Sequence, residues 1–217
     1  MSGIISKTAF FSQRDANNPE FWNERFAQHC VPWDKGGVPL ALLHYFNDAA
    51  PALPSHCLIP GCGNGYEVAY LSELGLEVTA IDFSSAAVAS ARAAHPRWAE
   101  RIVQADFFDF QAKQPLAFIY ERAFLCALPH ARRTDIVEHW AKLLTPQALL
   151  LGFFYIAENP AKNGPPFAMT QTQLTSLLAP YFVCIEDKPV EDSLAVFNHH
   201  ERWQIWQRLP SPQQNTD

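Results

Sequence analysis

From Ser55 onward, short apolar runs alternate with longer stretches in which apolar residues recur at helical spacing. Runs rich in β-branched and aromatic residues predict strands, and the longer stretches predict helices. This alternation is typical of a parallel sheet covered by helices on both faces. The pattern predicts strands over 56–59, 77–82, 102–106, 116–120 and 148–156, and helices over 66–74, 84–95 and 131–144, the last ended by Pro146.

The alternation changes after the fifth predicted strand. Thr170 and Gln173 form a capping-box pattern that begins a predicted helix over 170–178. The segments 182–190 and 201–209 then predict a closing pair of antiparallel strands. The sequence therefore predicts an α/β fold whose sheet is Rossmann-like and doubly wound, mostly parallel, with an antiparallel C-terminal strand and helices on both faces.

Two helices are predicted before the first strand, over 21–29 and 39–50. The first follows Pro19 and the second begins at Pro39, and proline is tolerated in the first turn of a helix. The loop VPWDKGG separates them. Because 217 residues suffice for one well-covered core, we expect a single domain. It is predicted to have a helical N-terminal extension over 1–50, a core over 51–209 and a flexible tail over 210–217.

Charge and cysteine content narrow the class of protein. The net charge is −6 at pH 7 and basic residues form no cluster, which disfavours nucleic acid or anionic lipid as a partner. No apolar run reaches the roughly 18 residues of a membrane span, and no signal pattern opens the chain. The five cysteines are dispersed and lack zinc spacing. We expect a cytoplasmic monomer without a metal, whose partner is a small molecule.

A glycine-rich segment, LIPGCGNGYEV at 58–68, joins the first predicted strand to the first helix of the core, with glycines at 61, 63 and 65. Doubly wound proteins bind nucleotides at this kind of turn, because glycine lets the backbone approach a ligand closely. A tight turn also uses glycine for purely local reasons. The third glycine of a dinucleotide fingerprint is absent, since Tyr66 stands in its place, and this disfavours a nicotinamide cofactor.

Asp82 ends the second predicted strand, 82 − 61 = 21 positions after Gly61. About 20 positions are expected between the glycine turn and an acid that binds a ribose diol. A helix cap is the alternative role for Asp82, although Ser84 is better placed for it. The spacing G-C-G-N-G, the acid at 82 and a further acid in QADFFDF resemble the class I S-adenosylmethionine-dependent methyltransferases.

That resemblance implies an adenine site beside Asp106, with Phe107 lining the purine; a turn-forming aspartate is the alternative for Asp106. The sulfonium of S-adenosylmethionine is a cation, which the face of an aromatic ring can hold. Trp22, Phe26 and Trp33 are candidates for such rings, although aromatic residues at helical spacing also form ordinary core.

Four ordered motifs resemble more narrowly the thiopurine S-methyltransferase family and its plant relatives that methylate halide and thiol ions. They are FWNERF with VPWDKG, LIPGCGNGYEV, YERAFLCALP and NGPPF, within 19–206. The resemblance implies methyl transfer from S-adenosylmethionine to a small soft nucleophile, a thiol, thiopurine-like compound, halide or chalcogen anion, with S-adenosylhomocysteine as the product.

The resemblance also implies site residues. On the cofactor side they are Trp22, Phe26 and Trp33 of an N-terminal lid, Gly61, Gly63 and Gly65, Asp82 and Phe83 for the ribose region, and Asp106 and Phe107 for the adenine. On the acceptor side they are Arg122, Pro165 and Phe167, with Arg202 of the segment HHERW beside Glu201. Two departures stand out: Pro60 replaces an acid found in many methyltransferases, and Phe26 replaces a family tryptophan and its indole donor.

Methyl transfer from a sulfonium is an in-line displacement, which alignment and the exclusion of water accelerate without a general base. A thiol acceptor reacts as its thiolate, and a nearby guanidinium such as that of Arg122 would lower the thiol pKa. Asp34 of the VPWDKGG loop is the predicted proton acceptor, chosen over Asp15 and His130. Cys62 is interpreted as a small loop residue, and the adjacent pair His199 and His200 as no metal site.

Three other functions remain open from the sequence. One is a class I methyltransferase for an oxygen or nitrogen atom, although no NPPY-like motif is present. Another is a non-catalytic S-adenosylmethionine-binding protein, which would need neither Arg122 nor the NGPPF loop. The third is a nicotinamide-dependent oxidoreductase, which Tyr66 disfavours.

Overall fold

A computed structural model describes residues 11–48, 55–161 and 163–210. Two helices precede the sheet, α1 (Pro19–Ala27) and α2 (Leu40–Asp48). The side chain of Asn18 accepts a hydrogen bond from the backbone N–H of Glu20 and thereby caps α1. The predicted tail beyond Pro210 and the end of the second predicted helix at 49–50 lie outside the described residues.

Within the described residues, seven strands form one sheet in the order β3-β2-β1-β4-β5-β7-β6. The strands are β1 (His56–Pro60), β2 (Glu77–Asp82), β3 (Ile102–Gln104), β4 (Leu116–Arg122), β5 (Leu144–Tyr155), β6 (Phe182–Pro189) and β7 (Glu201–Arg208). Neighbours pair in parallel except that β7 runs antiparallel to both β5 and β6. The predicted mostly parallel sheet with a reversed C-terminal strand is therefore confirmed.

Helices cover both faces of the sheet. Those within and after its parallel part are α3 (Tyr66–Glu73), α4 (Ser85–Ala94), α5 (Arg133–Leu143) and α6 (Gln171–Leu178). Successive side chains of a strand point to opposite faces. Leu58 of β1 accordingly packs in a cluster with residues of α5 and α6, whereas Cys57 and Ile59 pack in a second cluster with residues of α2, α3 and α4.

Two predicted caps are confirmed. The Ser84 side chain accepts from the backbone N–H of Ala87 at 3.1 Å, and Thr170 and Gln173 form a reciprocal capping box at the start of α6. These local hydrogen bonds satisfy N–H groups that the first helical turn leaves unpaired.

The predicted end of α5 at Leu144 lies one residue from the observed end, but the prediction that Pro146 stops the helix is wrong. The helix ends at Leu143, and Pro146 lies inside β5. The strand begins early because Leu144 already pairs with Leu116 of β4. The third strand is also shorter than predicted, since it ends at Gln104.

The order of the strands reverses between β1 and β4, which are adjacent in the sheet although β2 and β3 intervene in sequence. In open α/β sheets a crevice forms outside the carboxyl ends of the strands at such a switch point. The loops that follow β1, β2, β3 and β4 meet at this edge. None of the helices in the described ranges has the length and apolar character needed to cross a membrane.

Candidate active site

A cavity lies at the carboxyl edge of the parallel strands, and its walls come mostly from aromatic and aliphatic side chains. It brings together most of the predicted site residues. They are Trp22, Phe26, Trp33, Asp34, Gly61, Gly63, Asp82, Phe83, Asp106, Phe107, Arg122 and Pro165. Segments far apart in the sequence therefore converge on one site, as the motifs predict.

Three predicted site residues are not part of this lining. A Cβ at Gly65 would lie 3.2 Å from the Cβ of Ala91, so this glycine faces α4. The Phe167 ring packs edge-on against His130 at 5.4 Å. Arg202 is partly exposed and its Nε donates to Asp187 of β6 at 2.6 Å.

Glu201, the neighbour of Arg202, points to the other face of the sheet, because successive side chains of β7 alternate between the two faces. Glu201 is buried, and its Oε2 accepts from Ser193 Oγ at 2.7 Å and from the backbone N–H of Leu194 at 3.1 Å. Glu201 thus stabilises the loop that precedes β7, whereas Arg202 pairs with the sheet edge. The expectation that Arg202 reaches the acceptor finds no support in this geometry.

The glycine loop passes close to two aromatic rings, that of Phe124 beside Gly61 and that of Phe26 beside Gly63. Gly61 has a φ of +62°, and a Cβ there would lie only 2.8 Å from Cδ2 of Phe124. Gly63 has a φ of +52°, and its backbone N–H donates to Oδ2 of Asp82 at 3.2 Å. A left-handed backbone conformation and close neighbours explain why glycine is required here.

Asp82 is buried at the floor of the cavity. Its Oδ1 accepts from the backbone N–H of Ser84 at 2.9 Å, and its Oδ2 accepts from Gly63. Burial raises the pKa of Asp82 to about 6, and the two backbone donors oppose this change. Each carboxylate oxygen can accept more than one hydrogen bond, so both retain capacity for the hydroxyls of a ribose.

Aromatic residues of the N-terminal segment pack over the glycine loop. Trp22 packs edge-on against Trp33 with ring centroids 5.3 Å apart, and Phe26 packs against Trp33 at 6.2 Å. The indole N–H of Trp22 donates to the Ala16 carbonyl at 2.9 Å. Trp22 therefore presents its ring, and not a hydrogen-bond donor, to the cavity.

Asp34 connects the VPWDKGG loop to the glycine loop. Its Oδ1 accepts from the backbone N–H of Gly36 at 2.7 Å, and its Oδ2 accepts from the Asn64 amide and from the Tyr66 hydroxyl at 3.4 Å. Ser90 Oγ donates to the Asn64 amide oxygen at 2.7 Å. Three donors thus engage the Asp34 carboxylate, and two of them, Asn64 and Tyr66, connect the loop to the core.

Asp106 and Phe107 follow β3 at the other end of the cavity. Oδ1 of Asp106 accepts from the backbone N–H of Phe108 at 2.9 Å and caps a short 3₁₀ turn. Phe107 is buried and packs edge-on against Phe124 at 4.9 Å and His139 at 4.8 Å. Asp106 has the turn-forming role that the sequence left open, and it lines the cavity as well.

A charged cluster lies at the end of β4. The Arg122 guanidinium is 3.7 Å from Oε1 of Glu67, and the Tyr120 hydroxyl donates to the same oxygen at 3.2 Å. All three side chains line the cavity. Burial raises the pKa of Glu67, while the positive charge of Arg122 opposes that change.

The NGPPF loop is fixed by hydrogen bonds to Cys126, which follows β4, and to Arg133 at the start of α5. The backbone N–H of Phe167 donates to the Cys126 carbonyl at 2.7 Å, and Arg133 Nη2 donates to the carbonyls of Phe167 and Ala168, each at 2.9 Å. These bonds turn Pro165 toward the cavity, whose wall it forms together with its neighbour at 166.

Several cavity residues were missed by the sequence reasoning. Glu67 and Tyr120 stand inside motifs already singled out, and the spacing Tyr120 to Arg122 places both side chains on one face of a strand. That alternation could have identified them. Val196 and Phe197 lie in no motif, and only the long-range pairing of β7 brings them to the cavity.

Cysteine and metal chemistry add little to this site. All five cysteines are free, and burial raises the pKa of the Cys62 thiol well above its usual value, which makes it a poor nucleophile. Across the described ranges, no three side chains of His, Cys, Asp and Glu are grouped in a way that could hold a metal ion.

The residues fit S-adenosylmethionine. A buried carboxylate faces the cavity at Asp82, glycine backbone borders it where Cβ atoms would intrude, and aromatic rings from the N-terminal segment and from Phe107 supply apolar walls. Such a combination suits an adenosyl group at one end and a cationic sulfur at the other.

Comparisons with known proteins are consistent with this geometry. The sequence profile of the family described as thiopurine S-methyltransferase matches residues 17–209. A thiopurine S-methyltransferase of Shewanella loihica is 30% identical over 195 residues, covering 82% of this chain and 88% of that protein. One of Pseudomonas fluorescens is 32% identical over 178 residues, covering 73% and 81%. Thiocyanate methyltransferase 1 of Arabidopsis thaliana is 23% identical over 175 residues, covering 77% and 76%.

Solved structures share the fold at low sequence identity. The 1,6-didemethyltoxoflavin-N1-methyltransferase of Burkholderia thailandensis, crystallised with 1,6-didemethyltoxoflavin and S-adenosylhomocysteine, superimposes with a TM-score of 0.69 at 18% identity. The match covers 88% of this chain and 87% of that one. A TehB-like S-adenosylmethionine-dependent methyltransferase of Corynebacterium glutamicum gives a TM-score of 0.64 at 16% identity, covering 88% and 100%.

Proposed function

The chain belongs to the thiopurine S-methyltransferase family and is an S-adenosylmethionine-dependent methyltransferase, and we propose that its acceptors are small soft nucleophiles bound beside Arg122. Thiols, thiopurine-like compounds and anions such as thiocyanate, iodide or chalcogen oxyanions belong to this class. The observation that supports it most is the guanidinium of Arg122, whose side chain is only 12% exposed, at the edge of a largely apolar cavity.

The chain's own residues divide the cavity into a cofactor side and an acceptor side. Asp82 would accept hydrogen bonds from the ribose, the backbone at Gly61 and Gly63 would border the methionine part, and Phe107 would pack on the adenine. When bound, S-adenosylmethionine supplies a methyl group on a cationic sulfur that is already a good leaving group. The protein therefore contributes mainly by alignment and by exclusion of water, effects worth up to about 7–11 kcal/mol in well-oriented systems.

The acceptor side combines one positive charge with apolar walls. Arg122 attracts an anion or stabilises a thiolate, since a guanidinium forms strong charge-assisted hydrogen bonds. Pro165 and Phe197 cover this region and limit the access of water. Such a site favours weakly hydrated, polarisable nucleophiles over alcohols, which lose a proton much less readily than thiols, and over amines, which are protonated at neutral pH.

The N-terminal extension acts as a lid in this proposal, within a single domain. Asn23 of α1 bonds to the first turn of α4, and Lys35 forms an ion pair of 2.7 Å with Asp192 of the loop before β7. These contacts hold aromatic residues over the cofactor side. Limited proteolysis tests the lid, because S-adenosylhomocysteine would protect bonds between α1 and α2 from cleavage.

We also propose that the enzyme acts in the cytoplasm as a monomer on small molecules, without nucleic acid as a partner. The net charge of −6 supports the last point. Size-exclusion chromatography with light scattering gives the mass in solution, and cell fractionation gives the location. A dimeric mass or a membrane-bound fraction would contradict these statements.

The acceptor proposal is tested with purified protein and methyl-labelled S-adenosylmethionine. The panel comprises iodide, bisulfide, thiocyanate, aryl thiols, selenite and tellurite, with an amine and an alcohol for comparison. We expect transfer to soft nucleophiles. Transfer only to the amine or the alcohol would reject the acceptor class, and binding without any transfer would favour a non-catalytic S-adenosylmethionine-binding protein.

A further inference from the structure

Besides Asp82, the cavity contains a second carboxylate that is almost fully buried, that of Glu67. It lies in the first turn of α3, directly after the glycine loop, and only 7% of the residue is exposed. The Tyr120 hydroxyl holds Oε1, and Arg122 is its nearest cation. A buried carboxylate beside an acceptor site is a candidate for proton transfer.

The pair formed by Arg122 and Glu67 is loose. The distance of 3.7 Å between Nη1 and Oε1 exceeds the usual 2.7–3.2 Å of an N–H···O hydrogen bond, so the two groups attract each other as charges without a formed hydrogen bond. In addition, no described residue accepts a hydrogen bond from the buried Nε of Arg122. The guanidinium therefore retains donors for another anion.

Asp34, the proton acceptor predicted from sequence, has a different environment. Its carboxylate already accepts hydrogen bonds from Gly36, Asn64 and Tyr66. A proton on Asp34 would weaken the contact between the VPWDKGG loop and the glycine loop. Glu67 has fewer donors and lies beside Arg122, where a thiolate would form.

We propose that Glu67 accepts the proton of acceptors that enter the pocket protonated, an inference that rests on the proposed function. The acceptor's S–H bond breaks and its proton moves to the Glu67 carboxylate. The sulfur lone pair then forms a bond to the methyl carbon, while the bond from that carbon to the donor sulfur breaks and leaves its electron pair on the donor. Arg122, no longer paired with a charged Glu67, becomes the counter-ion of the thiolate.

The charges around Glu67 are consistent with this exchange. Arg122 and Tyr120 face it from β4, and Asp34 faces it from the loop before α2. Burial raises the pKa of Glu67, which makes its carboxylate a stronger base and a better match for a thiol. Burial also raises the pKa of Tyr120 well above its usual value, so the phenol stays protonated and positions the carboxylate.

A comparison of an acceptor that carries a proton with one that does not distinguishes proton transfer to Glu67 from a purely structural role of this residue. Thiocyanate has no proton to lose, whereas benzyl mercaptan must lose one. In Glu67→Gln we expect the ratio of kcat/KM for benzyl mercaptan to that for thiocyanate to fall about a hundredfold at neutral pH, the lower end of what a positioned base contributes. The thiol rate of the variant should also rise about tenfold per pH unit, because only thiolate from solution reacts.

Two further variants serve as controls. Glu67→Asp keeps a carboxylate and should recover part of the ratio. Asp34→Asn should lower both rates together, because it loosens the loop without removing the base. An equal loss for thiol and thiocyanate in Glu67→Gln would overturn the inference while leaving the proposed function intact. If the unchanged enzyme methylates neither compound, the proposed function itself fails.

A binding measurement tests the same idea without catalysis or a variant. When thiocyanate binds the complex with S-adenosylhomocysteine, it competes with Glu67 for Arg122, so Glu67 should take up a proton. Calorimetry in two buffers of different ionisation enthalpy, repeated at several pH values, should then show uptake of up to about one proton where the pH lies between the Glu67 pKa without thiocyanate and its raised pKa with thiocyanate bound. Absence of proton uptake by the unchanged protein would overturn the proposal.

Discussion

The amide oxygen of Asn23 in α1 accepts a hydrogen bond from the Ser84 hydroxyl at 2.7 Å. The same oxygen lies 3.2 Å from the backbone N–H of Ala86, so one side chain joins the N-terminal helix to the first turn of α4. Trp22, which lines the cavity, precedes Asn23 in the chain. The position of this wall of the cofactor site therefore depends on a contact 61 residues apart in sequence.

Removal of this contact should weaken cofactor binding. Asn23→Ala loses two hydrogen bonds worth about 0.5–1.5 kcal/mol each, so we expect the affinity for S-adenosylhomocysteine to fall about 5- to 150-fold by calorimetry. Asn17→Ala is the matched control, because Asn17 is exposed and its side chain contacts Asp15. Equal affinities for the two variants would argue against the lid.

The pH dependence of cofactor binding should follow Asp82. Its pKa in the free protein is about 6, and hydrogen bonds from a ribose favour the ionised carboxylate. Affinity should therefore be highest above pH 6 and fall as the pH drops through that value. Asp82→Asn should bind about 10- to 150-fold more weakly, the range for one hydrogen bond to a charged group, and should lose this pH dependence.

Calorimetry with S-adenosylhomocysteine between pH 5 and 8 checks both statements about Asp82, with circular dichroism to verify that the variant is folded. An affinity in Asp82→Asn equal to that of the unchanged protein would remove the ribose role. A wild-type affinity that is constant across this range would contradict the assignment of the titrating group.

A methyl group at Gly61 should disturb the cavity. The φ of +62° costs an alanine roughly 1–2 kcal/mol, and its Cβ would press against the Phe124 ring, which lines the cavity. Gly61→Ala should lower the melting temperature and weaken cofactor binding. Gly37→Ala is the control, since no atom lies within 4 Å of a Cβ there. Similar behaviour of the two variants would mean that close approach at Gly61 is unimportant.

Residues whose roles depend on local spacing could be predicted from the sequence. Gly61 and Asp82 are fixed by the ends of two adjacent parallel strands, which a pattern of apolar runs identifies. Gly65 was predicted to border the cavity together with Gly61, yet it faces α4. The spacing of residues in a turning loop does not show in which direction each residue points.

Residues placed by long-range pairing could not be predicted in the same way. The register of β7 between β5 and β6 buries Glu201 and leaves Arg202 beside Asp187, and a shift of one residue would exchange the two. Phe197 reaches the cavity only because the loop before β7 folds back over it. Such placements depend on contacts between distant segments.

The two arginines offer a direct comparison at the acceptor site. Arg122→Gln should lower kcat/KM for anionic acceptors about 10- to 150-fold, because a charge-assisted hydrogen bond is lost, and should affect neutral acceptors less. Arg202→Ala should leave these rates unchanged, since its guanidinium pairs with Asp187 outside the cavity. Steady-state kinetics with thiocyanate check both. A large loss in Arg202→Ala would restore the acceptor role that the sequence predicted for it.

Glu121 should make the fold less stable at alkaline pH. It is buried next to Arg122, and its Oε1 accepts from the backbone N–H groups of Phe124 and Leu125 at 3.1 and 2.8 Å, while Oε2 has no partner among the described residues. Burial raises the pKa of Glu121 to about 8, and the two backbone donors oppose this. A folded-state pKa above the unfolded value stabilises the protein fully below about pH 4, and this contribution is lost as the pH rises through 8.

Glu121→Gln keeps the acceptor for both N–H groups and removes the titration. Relative to the variant, the unchanged protein should lose up to about 1.4 kcal/mol of unfolding free energy per pH unit between pH 5 and 8. Urea denaturation at several pH values measures this difference, in which the other titrating groups cancel. Parallel pH profiles for the two proteins would show that the Glu121 pKa is near its ordinary value and that Oε2 is hydrated in the fold.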